Sequence, residues 1–326
     1  MILHSVAVQN QNQGADGVFT HELAVNPLSV VLINLRPLND TGTLTNFAQY
    51  LTICDSINRV SILHRGQSVV SMTGRDAAVL AFIRHGCQMQ QNNNDDVNND
   101  RRCVTLPIFM GRRAYDTSSC FPASRSGELI LQLDLDDADA GYDDLQYTVE
   151  TIELLGASPR EYERKVQLTR TFSATGINDV DMPIGNVIRG VLLFGTTAFV
   201  GGSPAPSWGR VSLVADGVEV GYSGTDFEVA HGLQGLLGVG IPRYDGHTHR
   251  FEDTAGAVSD VETNAPGEIE VGSGGWQNYA FLNLDPLLDD AHAIDTSQVS
   301  RLQIRADAET ADAVRAIPIE RIKVGG

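Results

Sequence analysis

The sequence predicts an all-β chain built as two tandem units, and three observations carry that expectation. Segments of period-2 alternation and β-branched runs recur along all 326 residues. Gly, Pro, Asn and Asp punctuate them at short intervals, as in sandwiches and barrels. A string of strand, turn and helix signals then returns about 150 positions later in the same order.

The strand signals are specific. Glu128–Asp136 places Leu129, Leu131, Leu133 and Leu135 on one face and Gln132, Asp134 and Asp136 on the other, which is a half-buried strand. Leu28–Leu35 and Val187–Phe194 are nearly continuous apolar runs bounded by Pro or Gly, the pattern of strands covered on both faces. Arg301–Ala306 alternates, and Ile317–Val324 alternates with a phase slip between Ile319 and Ile322 that a bulge would explain. Two helices interrupt the pattern. Asp76–His85 carries Val79, Leu80 and Ile83 at helical spacing before Gly86 at the stop position. Thr225–Leu237 opens on a Thr225-x-x-Glu228 capping box, weakened by Gly232 and Gly235. Gln88–Arg102, Gly201–Ser207 and Asp260–Gly275 read as loops, and residues up to about Gly17 as a polar arm.

The repeat is read residue by residue. Arg59-Val60-Ser61-Ile62 returns as Arg210-Val211-Ser212-Leu213, and at the same offset Gly66 meets Gly217 at the centre of a hairpin. Thr73-Gly74-Arg75-Asp76 parallels Ser223-Gly224-Thr225-Asp226, slipped by one, and a helix follows each. Pro27 and its strand match Pro183 and its strand; Leu133-Asp134 is paired with Leu284-Asp285. Two units of roughly eight strands, each with a helix inserted, are the layout of tandem jelly rolls. The expected division is an arm over 1–17, a first jelly roll over 18–158 and a second over 159–326.

At this point the chain resembles a known family, the double jelly-roll major capsid proteins of tailless icosahedral viruses, the lineage that includes the adenovirus hexon. The resemblance is strongest over Val104–Phe194, where LPIFMG, FPASRSGELILQLDL, YTVETIELLGASPREYERKV and TGINDVDMPIGNVIRGVLLF follow one another as in the bacteriophage members. It places the first unit's last strand near Thr148–Leu155 and a short connection at Ser158–Lys165. It implies a non-enzymatic structural protein without cofactors, forming trimeric, pseudo-hexagonal capsomers of an icosahedral virion. Its partners would be further copies of itself within the homotrimer and in neighbouring capsomers, penton or minor capsid proteins, and an internal membrane where the virus has one. The protein would be made in the host cytoplasm and reside in the capsid.

Composition agrees with that implication. The net charge of −18 repels a phosphate backbone and argues against direct nucleic-acid binding. Only Lys165 and Lys323 are lysines among 23 cations; the preference for Arg reflects either codon usage and habitat or Arg-mediated interfaces. No apolar run reaches the roughly 18 residues of a membrane span, and Met1–Ala7 lacks the features of a signal peptide, so a soluble chain is expected. Cys54, Cys87, Cys103 and Cys120 are too scattered for a disulfide scaffold or a metal finger, and reduced thiols are expected, with one bridge left open.

Chemical constellations are weak by comparison, and no catalytic, cofactor-binding or metal residues are assigned. The acidic run Asp134, Asp136, Asp137, Asp139, Asp143 and Asp144 lacks the Gly and Glu of an EF-hand and reads as a solvated turn, echoed by Asp285, Asp289, Asp290 and Asp295. His247 and His249, with Asp245, Glu252 and Asp253, are half of a zinc set at most. Gly272-Ser273-Gly274-Gly275 lacks the Lys of a phosphate loop, and there is no GxSxG elbow. Arg101, Arg102, Arg112, Arg113 and Arg125 either meet acidic groups across an interface or offset local aspartates. Two rival functions follow. One is a secreted carbohydrate-binding β-sandwich using Trp208, Trp276 and Tyr279 as platforms; the other is a cupin-like metal enzyme resting on His247 and His249.

Overall fold

Eight strands divide between two sheets of four in the first half of the chain, and the same circuit is then run again. The computed structural model describes residues 1–12, 16–39, 50–87, 101, 103–136, 142–197, 206–233, 249–252, 258–261, 269–270 and 278–325. The first half comprises β1 (Ile2–Asn12), β2 (Gly17–Glu22), β3 (Leu28–Asn39), α1 (Tyr50–Asp55), β4 (Ile57–His64), β5 (Gln67–Met72), α2 (Gly74–His85), β6 (Val104–Phe109), β7 (Leu129–Leu135) and β8 (Tyr142–Leu154). The second opens with β9 (Glu161–Val166), β10 (Leu168–Thr171), β11 (Gly176–Met182), β12 (Val187–Gly195), β13 (Arg210–Ala215), β14 (Val218–Glu219), β15 (Thr225–Asp226) and α3 (Phe227–Gly232). It closes with β16 (His249–Glu252), β17 (Val258–Val261), β18 (Ile269–Glu270), β19 (Tyr279–Asn283), β20 (Ile294–Asp295), β21 (Leu302–Ala308) and β22 (Ala313–Lys323).

Sheet order makes the duplication explicit. The first half forms β1-β8-β3-β6 and, at one end of a longer sheet, β5-β4-β7-β2. The second forms β9-β22-β12-β19 and β14-β13-β21-β11. With β9 and β10 counted as one strand, both halves pair first with eighth, third and sixth, and fifth with fourth, seventh and second. That is the jelly-roll circuit, executed twice. A helix stands between the fifth and sixth strands of each half, α2 in the first and α3 in the second.

Local chemistry explains the shared elements. The β4–β5 hairpin turns on Arg65 (φ 52°) and Gly66 (φ 80°), and β13–β14 turns on Asp216 (φ 48°) and Gly217 (φ 86°). Two successive positive φ values match the twist of paired strands, so the repeated glycine is needed in both places. Thr73 accepts a hydrogen bond from the Asp76 amide (3.1 Å) to start α2, and Gly86, left-handed at φ 62°, ends it. β7 follows its alternation without exception, with Leu129, Leu131, Leu133 and Leu135 buried.

Five readings of the sequence change. Residues 2–12, assigned to an arm, form β1, antiparallel to β8; bulges after Val6 and Val8 break its alternation and hide the strand signal. Ser158–Lys165, read as a connection, contains all of β9 but its last residue. Thr225 lies in β15 opposite Val211, so the capping box does not form, and α3 starts at Phe227 after Asp226 without a side-chain cap. Asp260–Gly275, read as loop, includes part of β17 and all of β18, which pair with β16. Leu284-Asp285 follows the sixth strand of its half, whereas Leu133-Asp134 lies in the seventh, so that pair is not topologically equivalent. The remaining repeat correspondences join equivalent strands.

The two halves are fused rather than strung together. β5 and β9 run parallel, with Val70 opposite Lys165 and Ser71 opposite Val166, so sheets from both halves become one continuous ten-stranded sheet. The Gln167 amide donates to the Ser71 carbonyl at 2.8 Å, extending the joint. Leu192, Tyr279, Phe281, Ile317 and Ile319 of the second half belong to the same apolar cluster as the first half's core. Val191 and Leu193 face the second core instead, so β12 is buried on both sides.

Candidate functional site

The seam between the halves holds the most concentrated chemistry among the described residues. It grows from a strand whose sequence, Glu161-Tyr-Glu-Arg-Lys-Val166, looks solvent-facing. β9 lies between β22 and β5, so its alternate residues Glu163 and Lys165 enter the interior. Glu163 is fully buried and Lys165 nearly so. Ions at such depth persist only when paired. Lys165 Nζ lies 3.0 Å from Glu163 Oε2 and donates to the Phe109 carbonyl at 2.7 Å.

A bulge supplies the next member. β12 pairs Ile188 with Glu320 and Gly190 with Ile319, leaving Arg189 as the extra residue. The phase slip in Ile317–Val324 therefore answers a bulge on the opposing strand. Arg189 is 0% exposed and donates to Glu163 at 3.4 Å, to Asp290 at 2.7 Å and to Glu161. Gly190 beside it lets the ladder close, since a Cβ there would stand 2.6 Å from the Phe281 ring.

The first half contributes two arginines. Arg84, at the end of α2, donates to Glu163 at 3.0 Å and to Asp285 at 3.4 Å. Arg112, beyond β6, donates to the Leu288 carbonyl at 2.6 Å and pairs with Asp290 and, at 3.3 Å, with Asp285. Arg321 on β22 closes the set by donating to Asp290 at 2.7 Å. Burial alone would raise the Glu163 carboxyl, but Lys165, Arg84 and Arg189 hold it well below the usual carboxylate range. Burial likewise opposes ionisation of Asp290, which Arg189 and Arg112 overcome. His85 stacks on Phe109 at 3.7 Å beside this cluster; burial, with Lys165 adding to it, pushes its imidazole down to about 3.

A second contact crosses the seam nearby. Asp76, 0% exposed on α2, accepts two hydrogen bonds from Arg315 (2.9 and 2.7 Å) and one from the Tyr279 hydroxyl (2.7 Å). The Arg315 guanidinium lies 3.6 Å from the Phe194 ring centroid. Burial and Asp76 push the Tyr279 hydroxyl well up. The arrangement fixes geometry by charge and hydrogen bonding. Its ionisable groups are spent on one another.

The residues singled out by sequence separate accordingly. Arg112 meets acids across the seam, and Arg101 pairs with Asp144 and donates to the Arg36 carbonyl at 2.9 Å, while Arg113 and Arg125 are exposed. Asp285 and Asp290, read as a solvated echo, are instead seam members. Trp208 is fully buried, donates to the Phe194 carbonyl at 2.9 Å and stands edge-on to Phe172; Tyr279 is fully buried too, so neither is a platform for a sugar. His247, Asp245, Asp253, Trp276, Arg102, Asp137, Asp139 and Gly272–Gly275 lie outside the described residues, as does Gln88–Arg102 apart from Arg101. Among the described residues no three His, Cys, Asp or Glu side chains stand close enough to hold a metal ion. All four cysteines are free thiols, Cys54 and Cys120 buried. Arg84, Glu163, Lys165 and Arg189 were missed. A Lys in a strand of alternating charge, in a chain with only two lysines, is the one signal that pointed there.

No protein-family model and no curated protein matches the sequence. Solved structures do match over essentially the whole chain. The major capsid protein P2 of bacteriophage PM2 aligns with a TM-score of 0.64 at 11% identity, covering 100% of this chain and 98% of that one. The STIV MCP aligns at 0.67 and 10% identity, covering 99% and 97%. PBCV-1 VP54, fitted into a reconstruction of the virophage Sputnik, aligns at 0.60 and 8% identity, covering 100% and 95%. The chain therefore has the double jelly-roll fold found in these viral proteins.

Proposed function

We propose that this protein is a major capsid protein, the repeated building block of an icosahedral virion, assembling as a trimer with a pseudo-hexagonal outline. The observation that carries the reading is the fusion of two jelly rolls of identical circuit into one sheet, locked by a buried ion cluster. A three-fold ring of such subunits presents six similar barrels, and a rigid seam keeps that outline uniform from copy to copy. In this reading one barrel lies on either side of a short connection near residue 158. Likeness in fold to the capsid proteins of PM2 and STIV, end to end, supports the same role. Net charge of −18 suits a soluble shell subunit that leaves the genome to other components. Further capsid proteins at vertices, and a membrane beneath the shell, are the remaining partners in this reading.

Light scattering of the purified full-length chain tests the proposal. A mass of three chains, stable on dilution, is expected. A monomer at every concentration would overturn the trimeric capsomer.

A further inference from the structure

β1 breaks the rules by which soluble proteins protect a sheet edge. Among the described residues it is the terminal strand of its sheet, paired only with β8, and no described strand pairs with its outer side over Ile2–Val6. Exposed edges are ordinarily blunted by Lys, Pro, charge or brevity. From Met1 to Asn12 there is no Asp, Glu, Lys, Arg or Pro, in a chain whose net charge is −18. Met1, Ile2, Leu3 and Val6 account for four of the twelve large apolar side chains exposed among the described residues, with Ile2 at 53% and Val6 at 55%. Before its bulges the strand keeps regular register with β8 from Ile2–Leu154 to Val6–Glu150.

Other edges of the two barrels are defended. β2 carries Glu22, β6 carries Pro107, β11 carries Asp179 and Asp181, and β14 carries Glu219. β19 is buried, and α3 packs on it through His231, whose ring nitrogen lies 2.7 Å from the Tyr279 carbonyl.

We propose that the edge of β1 over Ile2–Val6 is a docking surface for a second copy of this chain, the same edge of both copies pairing antiparallel across a two-fold axis. Two acidic copies repel over most of their surfaces, and this strip, which carries no acidic side chain, is where they approach at least electrostatic cost. Each copy offers the same unpaired backbone row and the same apolar side chains, so the contact is self-complementary. A two-fold contact cannot close a three-fold ring. The inference rests on the shell reading above and deepens it, because the β1 contact links one capsomer to the next.

The test compares the wild-type chain with Val6→Lys and, as a control on another exposed apolar edge residue, Ile177→Lys. Lys at position 6 faces Glu150 across β8, so the variant keeps its fold. Sedimentation velocity over a concentration series reads assembly, and hydrogen exchange reads the β1 amides. Wild type and Ile177→Lys should associate beyond the trimer with β1 amides protected. Val6→Lys should stop at the trimer, its larger species reduced at least tenfold and the β1 amides that point away from β8 exchanging. Higher assembly by Val6→Lys equal to wild type, or unprotected β1 amides in assembled wild type, would overturn the β1 contact and leave the capsomer intact. Dimers abolished by Val6→Lys, without any trimer, would support the contact and overturn the capsomer. A chain that stays monomeric overturns both.

Discussion

Arg84 of the first barrel donates a hydrogen bond to Glu163 of the second at 3.0 Å, with the two side chains 2% and 0% exposed. Glu163 faces Lys165 and Arg189 as well, so one carboxylate compensates three buried cations from three elements. Removing it takes the acidic partner from Lys165 and leaves Arg84 and Arg189 to Asp285, Asp290 and Glu161. Glu163→Gln should therefore cost about 3–5 kcal/mol, the penalty for stranding buried charge. Urea denaturation measures it. In a cycle with Arg84→Met the double variant should lose clearly less than the sum of the single losses.

The same cluster sets the response to acid. Glu163 and Asp290 have folded pKa values well below their unfolded values of about 4, so their contribution is complete above about 4 and is lost as pH falls from there through the lower folded values. His85 acts over a different window. Its folded value of about 3 lies below the ordinary 6.5, so the unfolded chain takes up its proton first, and stability falls as pH drops from about 6.5 towards 3. His85→Phe keeps an aromatic ring against Phe109 and removes that proton. Its stability to urea should fall less than the wild type's from pH 7 to about 5, the remaining loss coming from His21 and His64, which burial also holds below the ordinary value. The unfolding free energy of the wild type should decline more steeply over the same range, the His85 share being at most about 1.4 kcal/mol per pH unit.

Gly74 begins α2 where the helix crosses α1. A Cβ there would lie 2.1 Å from the Cys54 carbonyl oxygen and 2.7 Å from Ile57 Cβ. Gly74→Ala should lower stability by about 1–3 kcal/mol, as overpacking does, and thermal melting would show it.

Trp208 bears on the carbohydrate alternative. In a Trp276→Phe variant it is the sole tryptophan, 0% exposed and edge-on to Phe172. Its emission should be blue-shifted, insensitive to iodide and unchanged by monosaccharides; a sugar-dependent shift would count for a binding module.

What the sequence made legible, and what it hid, has a common physical cause. β7, the two hairpins at Gly66 and Gly217, and α2 were readable because in each the buried face is apolar or the turn demands a particular residue. β9 was read as a connection because its inward residues are Glu163 and Lys165, and hydrophobic patterning has no signal for ions buried against ions. Asp285 and Asp290 looked solvated for the same reason. Arg189 was invisible because a bulge, set by the partner strand, turns it inward. β1 was taken for an arm because bulges scramble its alternation. The features that fuse the barrels are thus the ones that pattern reading passes over.

Single-particle electron microscopy of the purified oligomer tests the central claim most directly. Six lobes about a three-fold axis, two per subunit, with density joining each pair through the β5–β9 sheet, is the predicted result. A particle without three-fold symmetry, or one whose paired lobes vary in relative orientation, would contradict a rigid double-barrel shell subunit.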